Sequence, residues 1–148
     1  MNKLYFCAIK YLSQMSRKFL ITVIMGCALV LAACNHLSDE AKEIAGNYYI
    51  SEISQDEPLM ELNKNGKCKI RAINPGVLTM TVEGKWNVEG NKLILDLDPS
   101  TLLTEGDSTL VGKIVGHQEK PIVDFNGITL TVNDHGSNFM YHRRNDVK

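Results

Sequence analysis

A chain of 148 residues, 44% of them hydrophobic and 22% charged, has enough apolar material for one core and too little length for two domains of ordinary size. With 16 basic against 17 acidic residues its net charge is −1, which argues against the clustered cationic face that nucleic-acid binding requires. The four cysteines show no Cys-x-x-Cys spacing, and the chain has no His-Glu-x-x-His, no Gly-x-Ser-x-Gly and no phosphate-cradling glycine loop.

The first fourteen residues carry a weak apolar patch ahead of Met15, and Ser16-Arg17-Lys18 then forms the basic stretch that naturally opens a leader. Phe19 to Leu31 is apolar but shorter than the roughly 20 residues needed to span a bilayer. It ends in Leu31-Ala32-Ala33-Cys34, followed by polar Asn35-His36. A transmembrane or buried helix leaves that ending unexplained. The run resembles the lipobox of bacterial lipoproteins. That resemblance implies cleavage between Ala33 and Cys34 and a diacylglyceryl group on the Cys34 sulfur, so that palmitate-type chains hold the mature protein to its membrane. It implies a cell-envelope location, and Asn35, where aspartate would favour inner-membrane retention, points to the outer membrane. Ser38-Asp39-Glu40 resembles the acidic tags of surface-exported lipoproteins and reads equally as solvated linker, which leaves the periplasmic or surface face open. The expected division is a signal peptide over 1–33 (or starting at Met15), a lipid-anchored tether over 34–45 and a folded domain over 46–148.

Cleavage would leave 115 residues, and because the leader holds four basic side chains and no acidic ones, the remainder carries a net charge of −5. Cys7 and Cys27 would depart with the leader and Cys34 would be acylated. Cys68 is then the one thiol left, so no intramolecular disulfide is expected. It lies in Lys67-Cys68-Lys69-Ile70-Arg71-Ala72-Ile73, where alternation places it with Ile70 and Ala72 on one face. A buried thiol acting as a small hydrophobe is the simpler reading, and a thiol activated by Lys67 and Lys69 the alternative.

Past a short helical turn around Asp39 to Ile44, helical periodicity gives way to period-two alternation, as in Leu78-Thr79-Met80-Thr81-Val82, Leu93-Ile94-Leu95-Asp96-Leu97 and Ile128-Thr129-Leu130-Thr131-Val132. Expected strands cover 47–53, 58–63, 67–73, 78–83, 85–89, 92–98, 108–115, 121–125, 128–133 and 137–143. Turn signals separate them at Asn65-Gly66, Pro75-Gly76, Gly90-Asn91, Asn126-Gly127 and Asn133-Asp134-His135-Gly136; Asn65-Gly66 is expected to form a type I′ hairpin turn. Pro99–Asp107 and Gly116–Lys120 read as loops. The fold class is all-β, an antiparallel up-and-down meander forming a small barrel or a flattened sandwich.

Three short motifs then bear on family. Ile44-Ala45-Gly46-Asn47-Tyr48-Tyr49 resembles the Gly-x-Trp opening of lipocalins with tyrosine for tryptophan, Gly84-Lys85-Trp86 repeats Gly-x-Trp, and Phe139-Met140-Tyr141-His142-Arg143-Arg144 is similar to the aromatic-and-arginine last strand of lipocalin-like lipoproteins. The resemblance implies a lipocalin-like barrel over residues 44–144, with Arg143 or Arg144 packed across Tyr48 as a cation–π contact.

Two readings accompany each chemistry-bearing group. Trp86 either caps one end of a filled core or lines a cavity with Tyr48, Met80, Leu95 and Leu130, since eight-stranded barrels are filled by side chains or hold one small ligand. Asp96 and Asp98, with Glu105 and Asp107, either form the solvent face of the sheet or an oxygen-rich cation site. His135 and His142 either occupy turn and edge positions or approach across the last hairpin, with Asp134, as transition-metal ligands. The plainer member of each pair is preferred, and no metal, cofactor or catalytic residue is assigned. The expected protein is a non-enzymatic, membrane-anchored lipoprotein that binds a small apolar or amphipathic ligand. The alternative is an envelope protein-interaction module, an inhibitor or assembly accessory, with a filled core and binding loops.

Overall fold

Ser38 starts the first element by a local rule: its hydroxyl accepts the Ala41 N–H at 3.1 Å, and Asp39 and Glu40 place negative charge in the first turn of helix α1 (Asp39–Ile44). Leu37, Ala41 and Ile44 recur at helical spacing and are all buried in the same core as the strands. Within the stretch expected as a tether over 34–45, the described residues from Leu37 onward therefore lay an apolar helical face under the barrel. The computed structural model describes residues 37–144; the leader 1–33 and Cys34 lie outside the described residues.

Nine strands follow: β1 (Gly46–Tyr49), β2 (Met60–Leu62), β3 (Lys67–Asn74), β4 (Leu78–Glu89), β5 (Lys92–Leu97), β6 (Leu103–Gly106), β7 (His117–Phe125), β8 (Thr129–Asp134) and β9 (Ser137–Arg144). All pairings are antiparallel, and the circuit β1-β2-β3-β4-β5-β7-β8-β9 returns to β1 through Tyr48 opposite Arg143. The result is an eight-stranded closed barrel, not a flattened sandwich, with β6 as an extra strand beside the first part of β4.

Several expected elements are redrawn. The strands expected at 78–83 and 85–89 are one strand, β4, which crosses β5 at Gly84 so closely that a β-carbon there would lie 2.3 Å from the Asp96 carbonyl oxygen. The expected strand at 108–115 is absent. Asp107 instead accepts the Thr109 N–H at 3.0 Å and turns Ser108–Leu110 into a 3₁₀ turn, a side-chain bond that competes with a ladder. Conversely β6 lies inside the expected Pro99–Asp107 loop, and β7 takes in all but the first residue of the expected Gly116–Lys120 loop. Asn65-Gly66 is not a type I′ turn: Gly66 alone has positive φ (79°), and the turn runs over Asn63–Gly66 with Gly66 N–H on the Asn63 carbonyl at 3.0 Å. Type I′ geometry occurs at Gly90-Asn91 (φ 54° and 61°) and at His135-Gly136 (49° and 85°).

The two ends of the barrel differ. At one, α1 sits beneath the turns joining β2–β3, β4–β5 and β7–β8, tied by the Ser38 N–H to Asn87 Oδ1 at 2.9 Å. At the other lie the 50–59 loop, the Pro75-Gly76 turn, β6, the 107–116 segment and the His135-Gly136 turn. Between them Tyr48, Leu62, Leu93, Leu95, Leu130 and Val132 are fully buried.

Candidate functional site: an open cup in the barrel

Inward-facing side chains become sparse and polar toward the end away from α1. Ile70 and Ala72 of β3, Met80 and Val82 of β4 and Leu97 of β5 form an apolar wall. Facing them are Gln118 and Lys120 of β7 and Asp134 at the end of β8, with Lys113, Ile114, Val115 and His135 around the rim. They enclose an open cup of about 420 Å³, within the range of roughly 300–1,000 Å³ typical of small-ligand sites.

Lys120 stands opposite fully buried Leu93, which fixes it on the inner face. Its ammonium donates to Asp134 Oδ2 at 2.5 Å, with the two side chains 17% and 35% exposed. Gln118 Nε2 donates to the Val115 carbonyl at 3.0 Å and so pins the 111–116 segment, which joins no ladder, against the cup. Tyr141 lies partly buried against the core; burial first, and then the Asp134 charge, push its hydroxyl above the ordinary tyrosine range, so it stays protonated and able to donate. An apolar wall facing a few polar groups is what orients a ligand with one polar end.

Of the five residues expected to line a cavity, Met80 alone reaches the cup. Tyr48, Trp86, Leu95 and Leu130 are packed together in the core below it. Trp86 closes the helix-bearing end, its indole N–H donating to the Asn63 carbonyl at 2.9 Å. The Tyr48 hydroxyl donates to the Ile44 carbonyl, and burial pushes it up to about 12. Neither arginine stacks on Tyr48. Arg143, though opposite it in register, lies over Phe125 at 5.5 Å and donates to the Glu43 and Ala45 carbonyls at 2.8 and 3.3 Å, because the open carbonyls at the C-terminus of α1 attract a cation. Arg144 lies over Tyr49 at 4.5 Å instead.

The other candidate groups do not converge. Asp98 accepts from Ser100 and Asp107 from Thr109 within their own turns, while Asp96 pairs with His117 at 2.6 Å on the outer surface. His135 sits in the β8–β9 turn and His142 opposite Thr129 at the far end of that hairpin. Among the described residues no group of three metal-ligating side chains gathers. Cys68 is 3% exposed, and burial pushes its thiol up to about 12, which leaves it protonated and inert at neutral pH.

Sequence reasoning placed Gln118 and Lys120 in a loop and singled out Asp134 only as a candidate metal ligand. The missed signal was the alternation Gln118, Lys120, Ile122, which a strand starting at His117 would have placed on the inner face. Comparisons with protein-family models, curated proteins and solved structures find no match for the chain.

Proposed function

We propose that this chain is a membrane-anchored, non-enzymatic binding protein of the cell envelope, lipocalin-like in kind, whose barrel takes a small apolar or amphipathic ligand into its open cup. The observation that carries the reading is the cup itself: about 420 Å³ bounded by an apolar wall and faced by inward-pointing polar groups. Core residues elsewhere in the barrel leave no comparable polar group inside, since no buried polar or charged residue occurs among the described residues. An anchor on Cys34 fits this arrangement. Three peptide units separate Cys34 from Leu37, a reach of at most about 11 Å, so a lipid there would hold the helix-bearing end to the outer membrane and leave the cup facing the aqueous side.

The alternative, a module that docks another envelope protein, draws on the apolar side chains left in solvent around the open end: Leu103, Leu110 and Val115 are 67%, 56% and 57% exposed. Native mass spectrometry of the protein purified from its host separates the two. A co-purified small molecule is expected. A bare chain that also fails to take up any added lipid saturably would overturn ligand carriage in favour of docking.

A further inference from the structure

We propose that the cup selects single-chain anionic amphiphiles, of which a medium-chain carboxylate is the simplest, with the head group on Lys120 and the tail along Ile70, Ala72, Met80 and Val82. The proposal rests on the ligand-carrying reading above and adds the sign of the ligand's charge. The two carboxylates beside the cup are already engaged. Asp134 holds Lys120, and Glu119 is bridged on the outer surface by Lys92 at 2.8 Å and by His117 at 3.6 Å. A cationic ligand would therefore find no free partner and would meet Lys113 and Lys120. Lys113 lies on the rim and makes no ion pair among the described residues, so it adds uncompensated positive charge where an anionic head would enter.

The Lys120–Asp134 pair is suited to exchange. Lys120 is the deeper member at 17% exposure, and Asp134, at 35%, borders the turn. A carboxylate entering the cup can take the place of Asp134 on the ammonium at little cost, because Asp134 is wet enough to rehydrate and has His135 Nε2 3.7 Å from its second oxygen. A neutral head group would have to break the ion pair, or leave it in place and gain nothing from it.

Calorimetric titration of the full chain with decanoate and with decan-1-ol tests this. The two ligands share a tail and differ in charge. Decanoate should bind about tenfold or more tighter than the alcohol, as expected for a charge-assisted hydrogen bond. Each methylene added from hexanoate upward should tighten binding about fourfold until the cup is full. The double variant Lys120→Met/Asp134→Asn should lose the preference while keeping the affinity for decan-1-ol, and Lys113→Ala should narrow the preference without abolishing it. Equal binding of acid and alcohol by the unsubstituted protein would overturn the head-group assignment alone. Saturable binding of neither would overturn ligand carriage and this proposal with it.

Discussion

The two ends of this barrel are built from the same alternating strands and are finished in opposite ways. At the helix-bearing end every inward position is filled: α1 supplies Leu37, Ala41 and Ile44, Trp86 closes the gap with its N–H satisfied by Asn63, and Arg143 ties down the last carbonyls of the helix. At the open end the same inward positions carry Ala72, Met80, Gln118, Lys120 and Asp134, residues too small, too flexible or too polar to pack, and space remains. A domain with one buried thiol and no disulfide among its described residues draws its stability from packing, which is densest around the residues that α1 and Trp86 close over. The filled end stabilises the fold, and the unfilled end is where ligand uptake is proposed.

The sharpest way to break this division concerns the lipid anchor proposed for the helix-bearing end. Growth with a labelled fatty acid should mark the protein, and Cys34→Ala should abolish the mark completely; labelling that survives the substitution would leave the proposed outward orientation of the cup without a basis. Next in size are truncations along the barrel axis. Leu95→Ala, in the fully buried layer, should cost about 2–5 kcal/mol, whereas Met80→Ala, on the cup wall, should cost well under about 2 kcal/mol because the space it vacates joins the open cup and leaves no sealed void. Urea denaturation of both variants checks this, and equal losses would mean that the cup wall is as tightly packed as the core.

A smaller loss is expected from Gly66→Val, at the turn packed beneath the barrel. The turn demands φ of 79°, a left-handed conformation that a β-branched side chain resists, so the substitution should destabilise by at least about 1 kcal/mol. An unchanged melting curve would show that the helix-bearing end can relax. The smallest effect is a pH dependence on the outer surface. Asp96, and next Glu119, raise the His117 pKa above its ordinary value of about 6.5. A raised folded-state value means that the stabilisation is fully present below about pH 6.5 and is lost as pH rises through the folded-state value. His117→Gln should remove that sloping segment from a plot of melting temperature against pH, and an identical slope in both proteins would show that the pair with Asp96 contributes nothing.

Much of the strand content is legible in the residues alone, because which face a side chain takes in a sheet is a local, period-two property. Cys68 and Ile70, Leu93, Leu95 and Leu97, and Leu130 and Val132 all point inward as alternation requires. Height along the barrel is not local. It depends on how eight strands are staggered against one another, and that stagger buries Tyr48, Trp86, Leu95 and Leu130 below the cup while leaving Met80 on its wall. A short-range side-chain bond at Asp107 also outweighed strand propensity over 108–115, while the strand that carries Gln118 and Lys120 starts at His117, where a loop was expected. The sequence by itself determined an all-β chain with alternating inner and outer faces. Closure of the barrel and the plugging of one end by an amphipathic turn of helix were decided by tertiary structure, because each depends on residues far apart in the chain meeting at one level of the barrel.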